Sequence, residues 1–99
     1  MEPKIGSGPS VGSIVFSKAG RDKGKPFVVL RVEGDFVFLC DGKLRAADKP
    51  KKKKCKHIAV TNTVNELIAE KIKETGKVTS AEVRKALAAF VGANAEEQA

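Results

Sequence analysis

The sequence predicts a mainly β domain with a helical appendage: a small β-barrel over residues 10–60, then an αα-hairpin over 61–92. Three observations predict it. Short apolar segments separated by glycine-bearing turns run as far as Val60. From Thr61 the apolar residues recur at helical spacing. Charge divides at the same place: residues 1–60 carry 14 Lys+Arg against 6 Asp+Glu, whereas 61–99 carry 5 against 6.

A chain of 99 residues fits one domain or one domain plus an appendage. At 41% hydrophobic residues it can bury a core, though a small one. Trp and Tyr are absent, so the five Phe are expected to supply the large core residues. A net charge of +7 makes nucleic acid the leading partner class, ahead of an anionic membrane surface. No apolar run approaches the roughly 20 residues that cross a bilayer. The opening Met1-Glu2-Pro3-Lys4 has no apolar stretch to act as a signal peptide. Cys40 and Cys55 are too few for a disulfide scaffold. The expectation is a soluble, reduced, cytoplasmic protein with no membrane partner.

Taken in order, residues 1–9 contain Pro3, Gly6, Gly8 and Pro9 and read as a flexible lead-in. Val11–Ser17 is the first strand. Neither of its faces is purely apolar, as expected for a strand wrapped by a small barrel. Lys18 to Lys25 is a basic turn in which Gly20 and Gly24 permit positive φ. Phe27–Glu33 is the second strand, apolar on both faces at Phe27-Val28-Val29-Leu30. Gly34-Asp35 turns into a third strand, Phe36–Cys40. Asp41-Gly42 is a two-residue hairpin signal, predicting a fourth strand over Lys43–Ala47. Six lysines then occupy the eight positions from Lys49 to Lys56, read as a basic loop because Pro50 interrupts any ladder. His57–Val60 is a short fifth strand that would close the barrel.

The helical half begins with Thr63-Val64-Asn65-Glu66, which has capping-box spacing. Val64, Leu67, Ile68 and Ile72 form the apolar stripe of the first helix, and Gly76 is placed to end it. Thr79-Ser80-Ala81-Glu82 is a second capping box, with Val78 and Val83 spaced as a hydrophobic staple. Val83, Leu87, Phe90 and Val91 stripe the second helix. Gly92 is expected to end it, leaving 93–99 as a frayed acidic tail. Such a hairpin could read DNA, but the second helix carries only Arg84 and Lys85 as cations, so a structural brace is expected.

No phosphate-binding P-loop, dinucleotide fingerprint or nucleophile-elbow serine is present. A Cys55–His57 pair could meet across a strand, but no third group is suggested to orient it. A zinc site from Cys40, Cys55 and His57 lacks the usual paired spacing. Cys55 is expected to react with thiol reagents faster than Cys40. The expectation is therefore no enzyme, no metal, no cofactor and no small-molecule substrate.

The stretch Val11 to Val37 resembles a KOW motif, found in ribosomal proteins and bacterial transcription elongation factors. The residues that carry the resemblance are Val11-Gly12-Ser13-Ile14-Val15, Ala19-Gly20-Arg21-Asp22-Lys23-Gly24-Lys25 and Val29-Leu30-Arg31-Val32. Cys40-Asp41-Gly42-Lys43-Leu44-Arg45 and the lysine run are similar to the archaeal and eukaryotic branch of large-subunit ribosomal proteins and its small bacterial relatives. The resemblance implies an SH3-like barrel that binds RNA, often ribosomal RNA. It matches Gly20 and Gly24 to the motif's turn glycines, and Arg21, Lys23 and Lys25 to its basic loop.

The expected function is RNA binding through two basic elements on a rigid barrel. Lys18, Arg21, Lys23 and Lys25 form one. Lys43, Arg45, Lys49, Lys51, Lys52, Lys53, Lys54 and Lys56 form the other. Folded or double-stranded RNA, ribosomal RNA or the ribosome above all, is the expected partner, because single-strand platforms need exposed aromatics. The competing reading is a protein-interaction module docking on a ribosomal protein or a transcription complex.

Overall fold

A computed structural model describes residues 9–98, with the side chains described as far as Ala93. Most of the lead-in, residues 1–8, and Ala99 of the tail lie outside the described residues. Five strands come first: β1 (Ser13–Ser17), β2 (Pro26–Glu33), β3 (Phe36–Cys40), β4 (Lys51–Lys54) and β5 (Ile58–Val64). A 3-10 turn, Cys55–His57, separates β4 from β5. Two helices follow, α1 (Glu66–Thr75) and α2 (Ser80–Gln98). The strands form one antiparallel sheet in the order β4-β3-β2-β1-β5.

The sheet curls but does not close as a barrel. β5 pairs with β1, with Val15 opposite Val60 and Ser17 opposite Ile58. No ladder joins β5 to β4 among the described residues. Register shifts between Val29 and Arg31, and between Ser13 and Val15, bend the strands. The degree of curl can be read from one contact. In a flat sheet β4 and β1 would stand roughly 14 Å apart, three spacings of about 4.8 Å. Instead Lys53 Nζ on β4 lies 2.6 Å from Ser17 Oγ on β1.

Curling gives the sheet two buried faces. Val15, Phe27, Val29, Val37, Leu39 and Ile58 pack together on the inner face. On the outer face Ile14, Val28 and Cys40 pack against Ile68, Val83, Ala86 and Leu87 of the helices. This accounts for the continuous apolar run Phe27-Val28-Val29-Leu30: alternate residues enter different cores. The helical hairpin braces the sheet, as its low cation content suggested.

Several elements differ from the sequence reading. The predicted strand Lys43–Ala47 is a loop, and the predicted loop Lys51–Lys54 is β4. Asp41-Gly42 therefore does not make a two-residue hairpin. The Asp41 carboxylate accepts hydrogen bonds from the amides of Lys43 and Arg45, both at 2.9 Å, which folds the segment onto itself. β5 runs on to Val64, so α1 is capped by Asn65 and not by Thr63. The Asn65 side chain accepts from Ile68 N at 3.0 Å. Val64 thus lies outside the helix, and Leu67 points to solvent at 80% exposure; Ile68 and Ile72 make the contact.

The other caps form as expected. Gly76 ends α1 at φ 79°, donating to Ile72 O at 2.7 Å. Thr79 and Glu82 cap α2 reciprocally, and Val78 joins Val83 in the outer core. α2 passes Gly92 and continues to Gln98, where a tail was expected. Val91 is half exposed.

Candidate nucleic-acid interface

The β1–β2 loop is built by its own turns. Lys23 N bonds Gly20 O at 3.2 Å, Lys25 N bonds Asp22 O at 2.9 Å, and Gly24 N bonds Ser17 O at 2.8 Å. Gly20 and Gly24 sit at φ 78° and 85°, as the turn reading required. These turns leave Lys18, Arg21, Lys23 and Lys25 exposed. Asp22 alone among the loop's charges turns inward, and its carboxylate meets Lys51 Nζ at 2.7 Å.

β4 divides its lysines by strand parity. Lys51 and Lys53 face the β1–β2 loop. Lys53 Nζ donates to Ser17 Oγ at 2.6 Å and to Ala19 O at 3.0 Å. Burial pushes the Lys53 ammonium below the usual lysine range, and the like charge of Lys51 adds to this. The hydrogen bond from Lys51 holds the Asp22 carboxyl below its ordinary value, reinforced by Lys25 and Lys53. Lys52 and Lys54 alternate to the other face and are exposed. The Lys52 ammonium lies 4.4 Å from the Phe36 ring centroid.

These contacts unite the two basic segments predicted separately. Lys51 and Lys53 anchor the lysine strand to the glycine-rich loop, while Lys52 and Lys54 stay exposed on the opposite face of β4 and Lys56 on the turn after it. Lys43, Arg45 and Lys49 are exposed on the 41–50 loop. That loop is tied to α2, where Arg84 Nη1 donates to Gly42 O at 2.6 Å and Ser80 Oγ accepts from Ala47 N at 2.9 Å. Lys25, Lys43 and Arg84 line one groove, so the loops approach each other there.

Arg84 was missed because the helix was read as a brace; no sequence signal links it to Gly42, 42 positions away. The expectation that every Phe serves the core also fails. Only Phe27 is fully buried, in the inner core; Phe16 and Phe90, whose rings lie 5.9 Å apart, are half-buried, as are Phe36 and Phe38. Arg31 covers Phe38, 5.1 Å from its centroid, and Arg31 pairs in turn with Glu33.

Cys40 is fully buried, and burial pushes its thiol up. Cys55 is half-buried at the start of the 3-10 turn. On that turn, residues two apart do not share a face, so the strand argument for a Cys55–His57 pair fails. Among the described residues no three His, Cys, Asp or Glu side chains gather as a metal-holding group. No helix of the described residues is long and apolar enough to cross a membrane. No family model matches the chain, and a comparison with curated proteins finds no similar sequence.

Proposed function

We propose that this protein is a non-enzymatic RNA-binding module of the KOW type, an SH3-like barrel in open form, associated with the ribosome or resembling a ribosomal protein. The observation that carries the reading is the joining of β4 to the β1–β2 loop through Lys51 and Lys53. It holds together two basic segments some 30 residues apart. Seven exposed cations make up the basic region around this junction: Lys18, Arg21, Lys23 and Lys25 on the loop, Lys52 and Lys54 on the opposite face of β4, and Lys56 just beyond it. Lys43, Arg45 and Lys49 extend it toward α2. Lys51 and Lys53 position the surface instead of contacting phosphate. Folded RNA is recognised here by phosphate spacing and shape.

The test is the salt dependence of binding to a structured RNA. With about six phosphate contacts, affinity falls on the order of 300- to 2000-fold between 50 and 200 mM salt. A nearly flat dependence would sink the proposal.

One observation favours the second reading, a protein-docking module: Leu67 stands 80% exposed beside a groove between α1 and α2. The readings separate with Lys52→Ala/Lys54→Ala. That variant weakens RNA binding and leaves a helix-bound protein partner in place.

A further inference from the structure

Beside the lysine strand, the outer face of the sheet carries a feature that phosphate contacts do not explain. A groove of about 410 Å³ runs between β3 and the α1–α2 connection. Its volume falls within the roughly 300–1,000 Å³ of small-ligand sites. Leu30, Phe38, Pro50, Ile72 and Val78 make it apolar. Arg31 and Lys77 bring positive charge to it, and Asp48 brings one carboxylate.

Phe38 is the aromatic wall of this groove, and its place in the sheet is informative. It lies directly opposite Lys52 on β4, and Phe36 lies opposite Lys54. The exposed lysines are therefore one strand away from the groove. An RNA strand whose phosphates follow Lys52 and Lys54 passes within one strand of Phe38. Such a strand offers what the groove takes: a flat, apolar-faced ring attached to an anion. Bases stack on aromatic rings and on guanidinium planes, and here the Arg31 guanidinium carbon lies over the Phe38 ring, 5.1 Å from its centroid.

We infer that this groove takes one unpaired base of the bound RNA, stacked against Phe38 and the Arg31 guanidinium. Asp48 accepts hydrogen bonds from the amino group of the base and repels phosphate, so the base enters and the backbone stays outside. Lys77 holds the adjacent phosphate. The inference rests on the RNA reading and sharpens it: the ligand is a duplex interrupted by a bulge or loop. A base held in a paired stack cannot enter the groove.

The experiment compares a fully paired RNA duplex with the same duplex carrying one bulged nucleotide, using the whole chain. One stacked base is worth about 5- to 150-fold in affinity, so the bulged RNA binds tighter by that factor. Phe38→Leu keeps the apolar volume, removes the ring face and abolishes the preference while leaving duplex affinity unchanged. In parallel, 2-aminopurine at the bulge is quenched when the unaltered protein binds. Equal affinity for the two salt-sensitive RNAs overturns this inference and leaves the RNA reading standing. A groove that serves an apolar peptide gives that same result. Binding to neither RNA overturns both. If Phe38→Leu weakens both RNAs alike, the 2-aminopurine signal decides: quenching supports the stacked base, and an unchanged signal overturns it.

Discussion

The loop 41–50 and strand β4 follow one another, are both rich in lysine and arginine, and are held in opposite ways. The loop is fastened through its backbone. Asp41 gathers the amides of Lys43 and Arg45, Gly42 O accepts from Arg84, and the cationic side chains stay in solvent. β4 is fastened through its ladder to β3 and through alternate ammonium groups, with Lys51 on Asp22 and Lys53 on Ser17. The difference teaches that a charged run need not be a solvated face. Strand parity splits it into a structural half and an exposed half.

The comparison breaks most visibly at Gly42. A Cβ there would stand 2.5 Å from Ser80 O and 2.7 Å from Arg84 Cγ, and φ is 78°. Gly42→Ala is expected to cost about 3 kcal/mol, combining left-handed strain with steric overlap. Gly24→Ala has the same kind of φ and open space around it, so it costs about 1–2 kcal/mol. Denaturant melts of the two variants check the order. Equal losses would show that the loop is not pinned on α2.

Parity within β4 gives the next contrast. Lys53→Met leaves Ser17 Oγ and Ala19 O without the ammonium and costs about 2 kcal/mol, as for a hydrogen bond to a charged group. Lys52→Met loses an exposed cation–π contact worth about 0.5–1 kcal/mol. Thermal unfolding of the pair reads the difference directly, and a larger loss at Lys52 would reverse the assignment of faces.

A smaller effect is expected from pH. The folded Asp22 carboxyl titrates below its ordinary value of 3.8 because of the bond from Lys51. A depressed carboxyl contributes stability in full above the unfolded pKa and loses it as pH falls through the folded one. Asp22→Asn therefore lowers stability by about 0.5–1 kcal/mol at neutral pH and narrows the gap to the native protein in acid. Stability curves between pH 2 and 6 check this. Parallel curves would remove Asp22 from the set of groups that fix the loop.

These contrasts also show what the sequence could and could not disclose. The β1–β2 loop was legible because its glycines and cations are local and its turns close within eight residues. The caps at Gly76 and Thr79–Glu82 were legible for the same reason. β4 was not, because a homopolymeric lysine run has no hydropathy period; its alternation comes from partners 29 to 36 positions away. The loop at 43–47 was misread because Asp41-Gly42 is a turn signal in both outcomes, and only the Asp41 bonds to Lys43 and Arg45 decide between them. Scarcity of aromatics points Phe36 and Phe38 to a core, but on the outer face they share with Cys40 only Cys40 is fully buried, and Arg31 and Lys52 lie over the two rings.

The central claim is that Lys52 and Lys54 face RNA whereas Lys51 and Lys53 hold the surface together. It is tested most directly by the slope of log affinity against log salt for a structured RNA. For Lys52→Ala/Lys54→Ala the slope should fall in magnitude by about 1.4 to 1.8, two phosphate contacts, with little change in melting temperature. For Lys51→Met/Lys53→Met the melting temperature should fall and the slope of the folded protein should hold. A slope that changes with Lys51 and Lys53 and not with Lys52 and Lys54 would contradict the account.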